Sequence, residues 1–225
     1  MSAPGPAPWP KVIAIDGPAA AGKGTLARRL ANHFGLAVLD TGALYRAVAL
    51  RMLRAGAHHD DVAEAAATAR AIRPSDLADP ELRSEASANL ASRISAIGDV
   101  RAALLDFQRD FARNPPAGAK GAVLDGRDVG TRVCPDADVK LFVTASVEVR
   151  ARRRLNELRE TGHAAIHSRV LKEMKERDAR DRGRELAPLV PADDAIVIDT
   201  GGLNADQVFA AALDVITSRD RARWG

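Results

Sequence analysis

At 225 residues with 46% apolar positions, the chain can bury a sizeable core and is globular rather than disordered. Basic residues exceed acidic ones by only three, 33 against 30, with the two signs interspersed, which argues against a nucleic-acid or membrane-surface protein. A single cysteine, Cys134, rules out an intrachain disulfide, and no run approaches the length of a membrane span.

Residues 1–10 are proline-rich, lack the basic and apolar segments of a secretory signal, and read as a flexible tail. Lys11–Asp16 is apolar on both faces, as a buried parallel strand requires. A glycine-bounded loop leads into a helix over Thr25–Phe34, which Gly35 is placed to terminate. Ala37–Leu39 is a short second strand ending in Asp40-Thr41-Gly42. Leu44, Val48 and Met52 recur four apart, which predicts a helix over Ala43–Leu53.

Strand signals then vanish from Arg54 to Ala96. Alanine-rich helices are predicted over Val62–Ile72 and Leu82–Ile97, separated by the breakers Arg73-Pro74-Ser75-Asp76. Another helix covers Val100–Ala112 and stops at Asn114-Pro115-Pro116. Strands return at Gly121–Asp125 and Val139–Thr144. Helices follow over Ser146–Thr161 and Ile166–Arg182, then a strand over Ala195–Asp199 and a closing helix over Asn204–Thr217. This alternation predicts an α/β fold, a parallel five-stranded sheet flanked by helices, with a helix-only insertion between its second and third strands.

The stretch Gly17-Pro18-Ala19-Ala20-Ala21-Gly22-Lys23-Gly24-Thr25 has the context of a phosphate cradle. Backbone N–H groups converge on phosphates, the helix N-terminus adds its positive end, and Lys23 supplies a mobile charge. The plain alternative is a Gly/Ala turn capping a helix, which leaves the central lysine unexplained. Gly24 separates Lys23 from Thr25, so the hydroxyl usually adjacent to the lysine is displaced by one residue. That ending resembles nucleoside-monophosphate kinases more than switch GTPases or motor ATPases.

Ligands of open parallel sheets collect at the carboxyl ends of strands. Asp40, Thr41 and Arg46 follow the second strand there, and Asp125-Gly126-Arg127-Asp128-Val129-Gly130-Thr131 follows the third. Arg127 offers a planar fork for phosphate oxygens, and Asp125 ends a strand where an acid can hold magnesium directly or through water. Capping of the following turn is the bland reading of Asp125.

Residues 172–184 are the most charged stretch. Glu173–Arg177, Glu176–Arg180, Arg177–Asp181 and Asp178–Arg182 are all four apart, the pattern of a self-paired solvated helix. Beside a phosphate loop, the same arginines can close over a transferring phosphoryl group. His163 and His167 lack a third metal ligand nearby, and His58-His59 read as surface residues. Cys134 reads as a packing residue, and two Trp with one Tyr give no base-stacking strip.

Taken together, Ile15-Asp16-Gly17-Pro18, Gly22-Lys23-Gly24-Thr25, Leu39-Asp40-Thr41-Gly42-Ala43-Leu44-Tyr45-Arg46, Asp125–Thr131 and Lys175–Arg182 resemble the bacterial cytidylate kinases, within the P-loop nucleoside-monophosphate kinase superfamily. The resemblance runs from about Val12 to Val215. It implies one kinase domain over 11–225 (core 11–41, 98–152 and 186–225), an acceptor-binding insertion over 42–97 and a mobile lid over 153–185. It also implies transfer of the γ-phosphoryl group of ATP to CMP or dCMP, with Mg²⁺ and no covalent enzyme intermediate.

By the same resemblance, Gly17 to Thr25 would bind ATP, with Lys23 on its phosphates and Thr25 close to Mg²⁺. Thr41, Arg46 and Arg127 would surround the acceptor phosphate, and Ser92, Arg101 and Asp128 would face the cytosine. Arg177, Asp181 and Arg184 would meet the acceptor as the lid closes, and Arg153 would meet the transferring phosphate. Asp128 can accept from the exocyclic amine of cytosine, which uracil lacks. Thr41 stands where the family pattern has the serine of Asp-Ser-Gly. The tract 67–83 is short and strand-poor where many bacterial members carry a small β-sheet insert.

The partners so implied are small molecules, with no nucleic acid or membrane, on a cytoplasmic monomer. Two other readings remain. A kinase of adenylate or uridylate type would share the phosphate loop but prefer another acceptor. A nucleotide-dependent regulator would not need arginines enough to neutralise two sets of phosphates.

Overall fold

Runs such as Val12-Ile13-Ala14-Ile15 are apolar at every position, so strands made from them must be covered on both faces. The computed structural model describes residues 10–224 apart from 59, 161 and 163, with side chains as far as residue 218. The strands are β1 (Val12–Asp16), β2 (Ala37–Asp40), β3 (Ala122–Gly126), β4 (Val139–Thr144) and β5 (Ile196–Asp199). They form an all-parallel sheet in the order β2-β3-β1-β4-β5. The helices are α1 (Lys23–Phe34), α2 (Thr41–Arg54), α3 (Val62–Arg70), α4 (Glu85–Ile94), α5 (Gly98–Arg113), α6 (Val147–Glu160), α7 (His167–Arg182) and α8 (Ala205–Trp224).

The strands' period of two sorts one core into two layers. Ile13, Ile15 and Val123 face Leu26 and Leu30 of α1 and Val208, Ala212 and Ile216 of α8. Ala14, Ala122 and Leu124 face the other way, against Leu44, Val48 and Met52 of α2 and Val100 and Leu104 of α5. Ala65 and Ala69 of α3 and Leu90 and Ile94 of α4 join that second layer. The helical insertion is therefore a continuation of the core rather than a body with a core of its own.

Several boundaries differ from expectation for local reasons. α1 begins at Lys23, two residues early, so the lysine itself lies in the first turn; it ends as expected at Gly35, which is left-handed. The helix expected over Leu82–Ile97 is interrupted. Pro80–Arg83 forms a short 3₁₀ turn, and α4 starts afresh at Glu85, capped by the Ser84 hydroxyl, which accepts from Ser87 N at 3.2 Å. α3 stops at Arg70. The tract beyond it, strand-free among the described residues, is pinned by α2: Arg51 donates to Ala71 O at 3.0 Å, and Arg54 pairs with Asp79 at 2.8 Å and Glu81 at 3.0 Å.

α6 and α7 pack through Ala151 and Leu155 against Val170 and Met174. The lid boundary expected at 153 falls inside α6. The tail over 1–9, together with Thr161, His163 and His59, lies outside the described residues. Parallel register brings the strand ends to one edge: Asp40 stands opposite Asp125, Asp16 opposite Gly126, and Thr144 opposite Asp199.

Candidate active site

Above that edge lies a cavity of about 480 Å³. The phosphate loop forms one wall. Gly17 backs directly onto β4, where an added Cβ would stand 1.9 Å from Val143 O, and its φ of 144° suits glycine alone. Lys23 is 6% exposed; its Nζ donates to Pro18 O at 2.9 Å and lies 3.7 Å from an Asp125 carboxylate oxygen. Burial, helped by the charge of Arg127, lowers its pKa to about 8. Ala19 to Thr25 line the cavity, whereas Gly17 and Pro18 shape the loop from behind.

The opposite wall is basic. Arg46 pairs with Asp40 at 2.6 Å, and Asp40 also caps α2, accepting from Ala43 N at 3.1 Å. Thr41 donates its hydroxyl to Asp125 O at 2.9 Å, tying the start of α2 to the end of β3. Arg127 donates to Asp181 at 3.1 Å and to Gly126 O at 3.1 Å. Arg184 reaches the other Asp181 oxygen at 2.5 Å and Ser95 Oγ at 2.7 Å. Arg101 pairs with Asp128, donates to Ser95 O at 3.2 Å, and lies over the Tyr45 ring at 5.8 Å.

These arginines crowd one another. Burial and the neighbouring Arg127 lower the pKa of Arg177 to about 10, and burial also lowers that of Arg184. Burial works against ionisation of Asp181, but Arg127, Arg184 and Arg177 overcome it and hold the carboxyl below its usual range. Of the four buried side-chain N/O atoms without a partner among the described residues, three are the Nε atoms of Arg46, Arg177 and Arg184. All three residues line the cavity. A buried donor left unpaired is costly, and an anion with several oxygens satisfies it.

The sites expected from sequence converge here. Lys23, Thr25, Thr41, Arg46, Ser92, Arg101, Asp125, Arg127, Asp128, Arg153, Arg177, Asp181 and Arg184 share the one cavity. Two placements qualify the expectations. The Arg153 guanidinium is held by Thr200, at 2.9 Å to its hydroxyl and 2.6 Å to its carbonyl, beyond the end of β5. Two acids of α7 are not solvated partners of their own helix, although Glu173 does pair with Arg169 four residues back at 3.0 Å. Asp178 and Asp181 are 4% and 1% exposed and bond to arginines of other elements. Cys134 packs in the core, and burial, with Asp136, pushes its thiol up to about 11.

Four residues, Asp16, Ser95, Arg83 and Arg154, contribute to the site without having been singled out as site residues from sequence. Asp16 accepts Val129 N at 2.8 Å and Gly130 N at 2.7 Å, fastening the end of β1 to the turn that carries Arg127 and Asp128. Burial pushes its carboxyl up to about 6 against the pull of those two N–H groups. The turn itself, Val129–Val133, is a π-type coil, a form that often marks functional sites. Ser95 holds Arg184 and Arg101, and Arg83 and Arg154 add charge to the cavity rim. Only the Ile15-Asp16-Gly17-Pro18 motif carried a signal for any of these.

The donors suit Mg²⁺. Thr25 and Asp125 offer oxygen ligands on one wall, and few protein ligands is the habit of Mg²⁺ shared with nucleotide phosphates. Gly24 keeps room between them, since a Cβ there would stand 3.3 Å from the Asp125 carboxylate. Burial raises the Asp125 pKa against the pull of Lys23, a poise that a nearby cation reverses. Among the described residues, no helix is long and apolar enough to cross a membrane.

A parallel sheet with an anion loop after its first strand and a basic cavity over its carboxyl ends defines a P-loop nucleotide-binding α/β fold. The sequence profile described as cytidylate kinase matches residues 13–218. A protein of that description from Paramagnetospirillum magneticum (strain ATCC 700264 / AMB-1) is 62% identical over 208 residues, covering 92% of this chain and 98% of its own. Another, from Rhodospirillum rubrum, is 57% identical over 210 residues, covering 93% and 99%. The chain belongs to the cytidylate kinase family. A solved structure of an uncharacterized protein from Eubacterium ventriosum ATCC 27560 shares the fold, with a TM-score of 0.54 at 15% identity over 92% of this chain and 98% of that one.

Proposed function

We propose that the chain transfers the γ-phosphoryl group of ATP to CMP and dCMP in one in-line step. An oxygen of the acceptor phosphate attacks the γ-phosphorus as the bond to the β,γ-bridging oxygen breaks, giving the diphosphate and ADP. The observation that carries this reading is the pairing, across one cavity, of a phosphate loop with three buried, unpartnered arginine Nε donors. One wall suits a triphosphate; the other presents donors that suit a second anion.

In this reading Lys23 and the loop N–H groups hold the ATP phosphates, while Arg46, Arg127 and Thr41 hold the acceptor phosphate. Arg177 and Arg184 neutralise charge that grows between the two, and Asp181 keeps Arg127 and Arg184 in place through its two oxygens. Bound Mg²⁺, held by Thr25 and Asp125 directly or through water, would neutralise phosphate charge. Asp128, with Arg101 paired to it and Ser92 lining the same cavity, reads the cytosine edge. Its carboxylate is paired with Arg101, so the base amine adds a donor to an acid already held in register.

Arg153 keeps a place on the donor side, released from Thr200 or bridging from it. Residues 42–97 would embrace the acceptor and 153–185 act as the lid, on a monomer in the cytoplasm. A panel of monophosphates with ATP tests the reading. CMP and dCMP should be phosphorylated far faster than UMP or AMP; a preference for either of the latter would overturn it.

A further inference from the structure

The side chain of Arg150 is 2% exposed, yet it joins three parts of the molecule. Its Nε donates to Ala145 O, just past β4, at 2.9 Å. Its Nη1 donates to Ala19 O of the phosphate loop at 3.3 Å and to Asp178 Oδ1 at 3.1 Å. Its Nη2 donates to Asp178 Oδ2 of α7 at 2.5 Å. Asp178 is itself buried, and neither residue lines the cavity.

Both ends of this link matter. Ala19 immediately precedes Ala20, which has φ 58°, a left-handed conformation costly for a residue with a Cβ. Such a conformation persists where its surroundings hold it, and Arg150 holds the carbonyl next to it. Asp178 lies between Arg177 and Asp181, the α7 residues that face the cavity. A bidentate fork fixes direction as well as distance, unlike an apolar contact of equal volume. A buried ion pair adds little net stability over such a contact, so its directional role stands out.

We propose that Arg150 and Asp178 are positioning residues that lock the backbone of the phosphate loop to the lid helix, so that one guanidinium sets both the donor cradle and the register of Arg177 and Asp181 above it. Within the lid segment 153–185, the C-terminal half of α7 is then tied to the core, which narrows the moving part to the N-terminal half of α7 and the neighbouring end of α6. The kinetic arm of this proposal rests on the phosphoryl-transfer reading; the structural arm does not.

The test uses the full chain carrying Asp178→Asn or Arg150→Lys, each compared with the unaltered chain. Amide hydrogen exchange without nucleotide should accelerate about fivefold or more in peptides covering 17–24, although Asp178 is remote in sequence. With ATP and CMP, kcat should fall about tenfold or more while KM for CMP changes less than about threefold, the pattern of misplaced transition-state contacts. Asp178→Glu, which keeps the charge, should recover part of the loss.

Faster exchange confined to 167–182, with kcat retained, would mean a purely structural pair and overturn the proposal. If Arg150→Lys does not fold, the exchange and kinetics of Asp178→Asn decide alone. Should the unaltered chain fail to phosphorylate CMP, the functional reading falls, while the exchange measurement still judges the coupling.

Discussion

Between Gly17 and Thr25, every group proposed to hold the donor phosphates comes from one contiguous stretch, held by glycine geometry and a helix end. Across the cavity, Arg46, Arg101, Arg127, Arg177 and Arg184 arrive from α2, α5, the turn after β3 and the end of α7. The loop wall is mostly backbone, so its donors cannot turn away. The arginine wall is made of long side chains, four of which are held by carboxylates: Asp40 for Arg46, Asp128 for Arg101, and Asp181 for Arg127 and Arg184. A cradle of backbone amides is specified locally, whereas a cluster of like charges has to be assembled and restrained.

The contrast can be broken from the donor side first. Lys23→Ala should lower kcat by roughly 10³-fold, because no other cation in the loop reaches the phosphates. Circular dichroism should show the fold intact, since the change also removes a charge that burial disfavours. Near-normal turnover would show that the arginine wall suffices alone.

Gly17→Ala tests the loop as a scaffold. The new Cβ meets a β4 carbonyl that cannot move independently, so denaturant unfolding should show a loss of about 2–3 kcal/mol. An unchanged midpoint would mean that the loop relaxes more easily than its packing implies.

On the acceptor side, Asp128→Ala should reduce the CMP-over-UMP ratio of kcat/KM about tenfold, with KM for ATP little altered. An equal loss for both acceptors would reduce Asp128 to a support for Arg101.

The smallest effect is one of pH. Lys23 loses its proton as pH rises through about 8, so kcat/KM for ATP should decline above that value by at most tenfold per unit. Bound phosphates favour the charged form, and the fall in kcat should therefore come at higher pH. Stability carries the opposite sign. Between about 8 and 10.5 the unfolded lysine keeps a proton that the native one has released, so this residue's contribution to stability rises with pH. A kcat/KM profile flat to pH 9.5 would place the lysine's pKa well above 8.

Asp16 and Asp178 show why parts of the site were illegible beforehand. Each is an acid whose partner, Val129 and Gly130 N–H for one and Arg150 for the other, is more than a hundred positions away or lies on another helix. For α7, spacing alone offered four intrahelical pairs that involve Arg177, Arg180, Asp181 and Arg182. The fold instead turned Asp178 and Asp181 inward, toward the guanidinium groups of Arg150 and Arg127. Arg153 illustrates the converse, a residue found in the expected cavity but held by Thr200, which no periodicity connects to it.

The amino-acid sequence by itself determined the strand–loop–helix phosphate cradle, the five parallel strands between covering helices, and the polar residues waiting at the strand ends. Those features follow from short-range rules: apolar periodicity, glycine conformations and helix termini act within a few residues. Only the tertiary structure decided which acid restrains which arginine, and that α7 is tied to the phosphate loop through Arg150. An arginine side chain spans several ångströms and accepts any nearby oxygen, so its partner is chosen by which elements the packed sheet brings together.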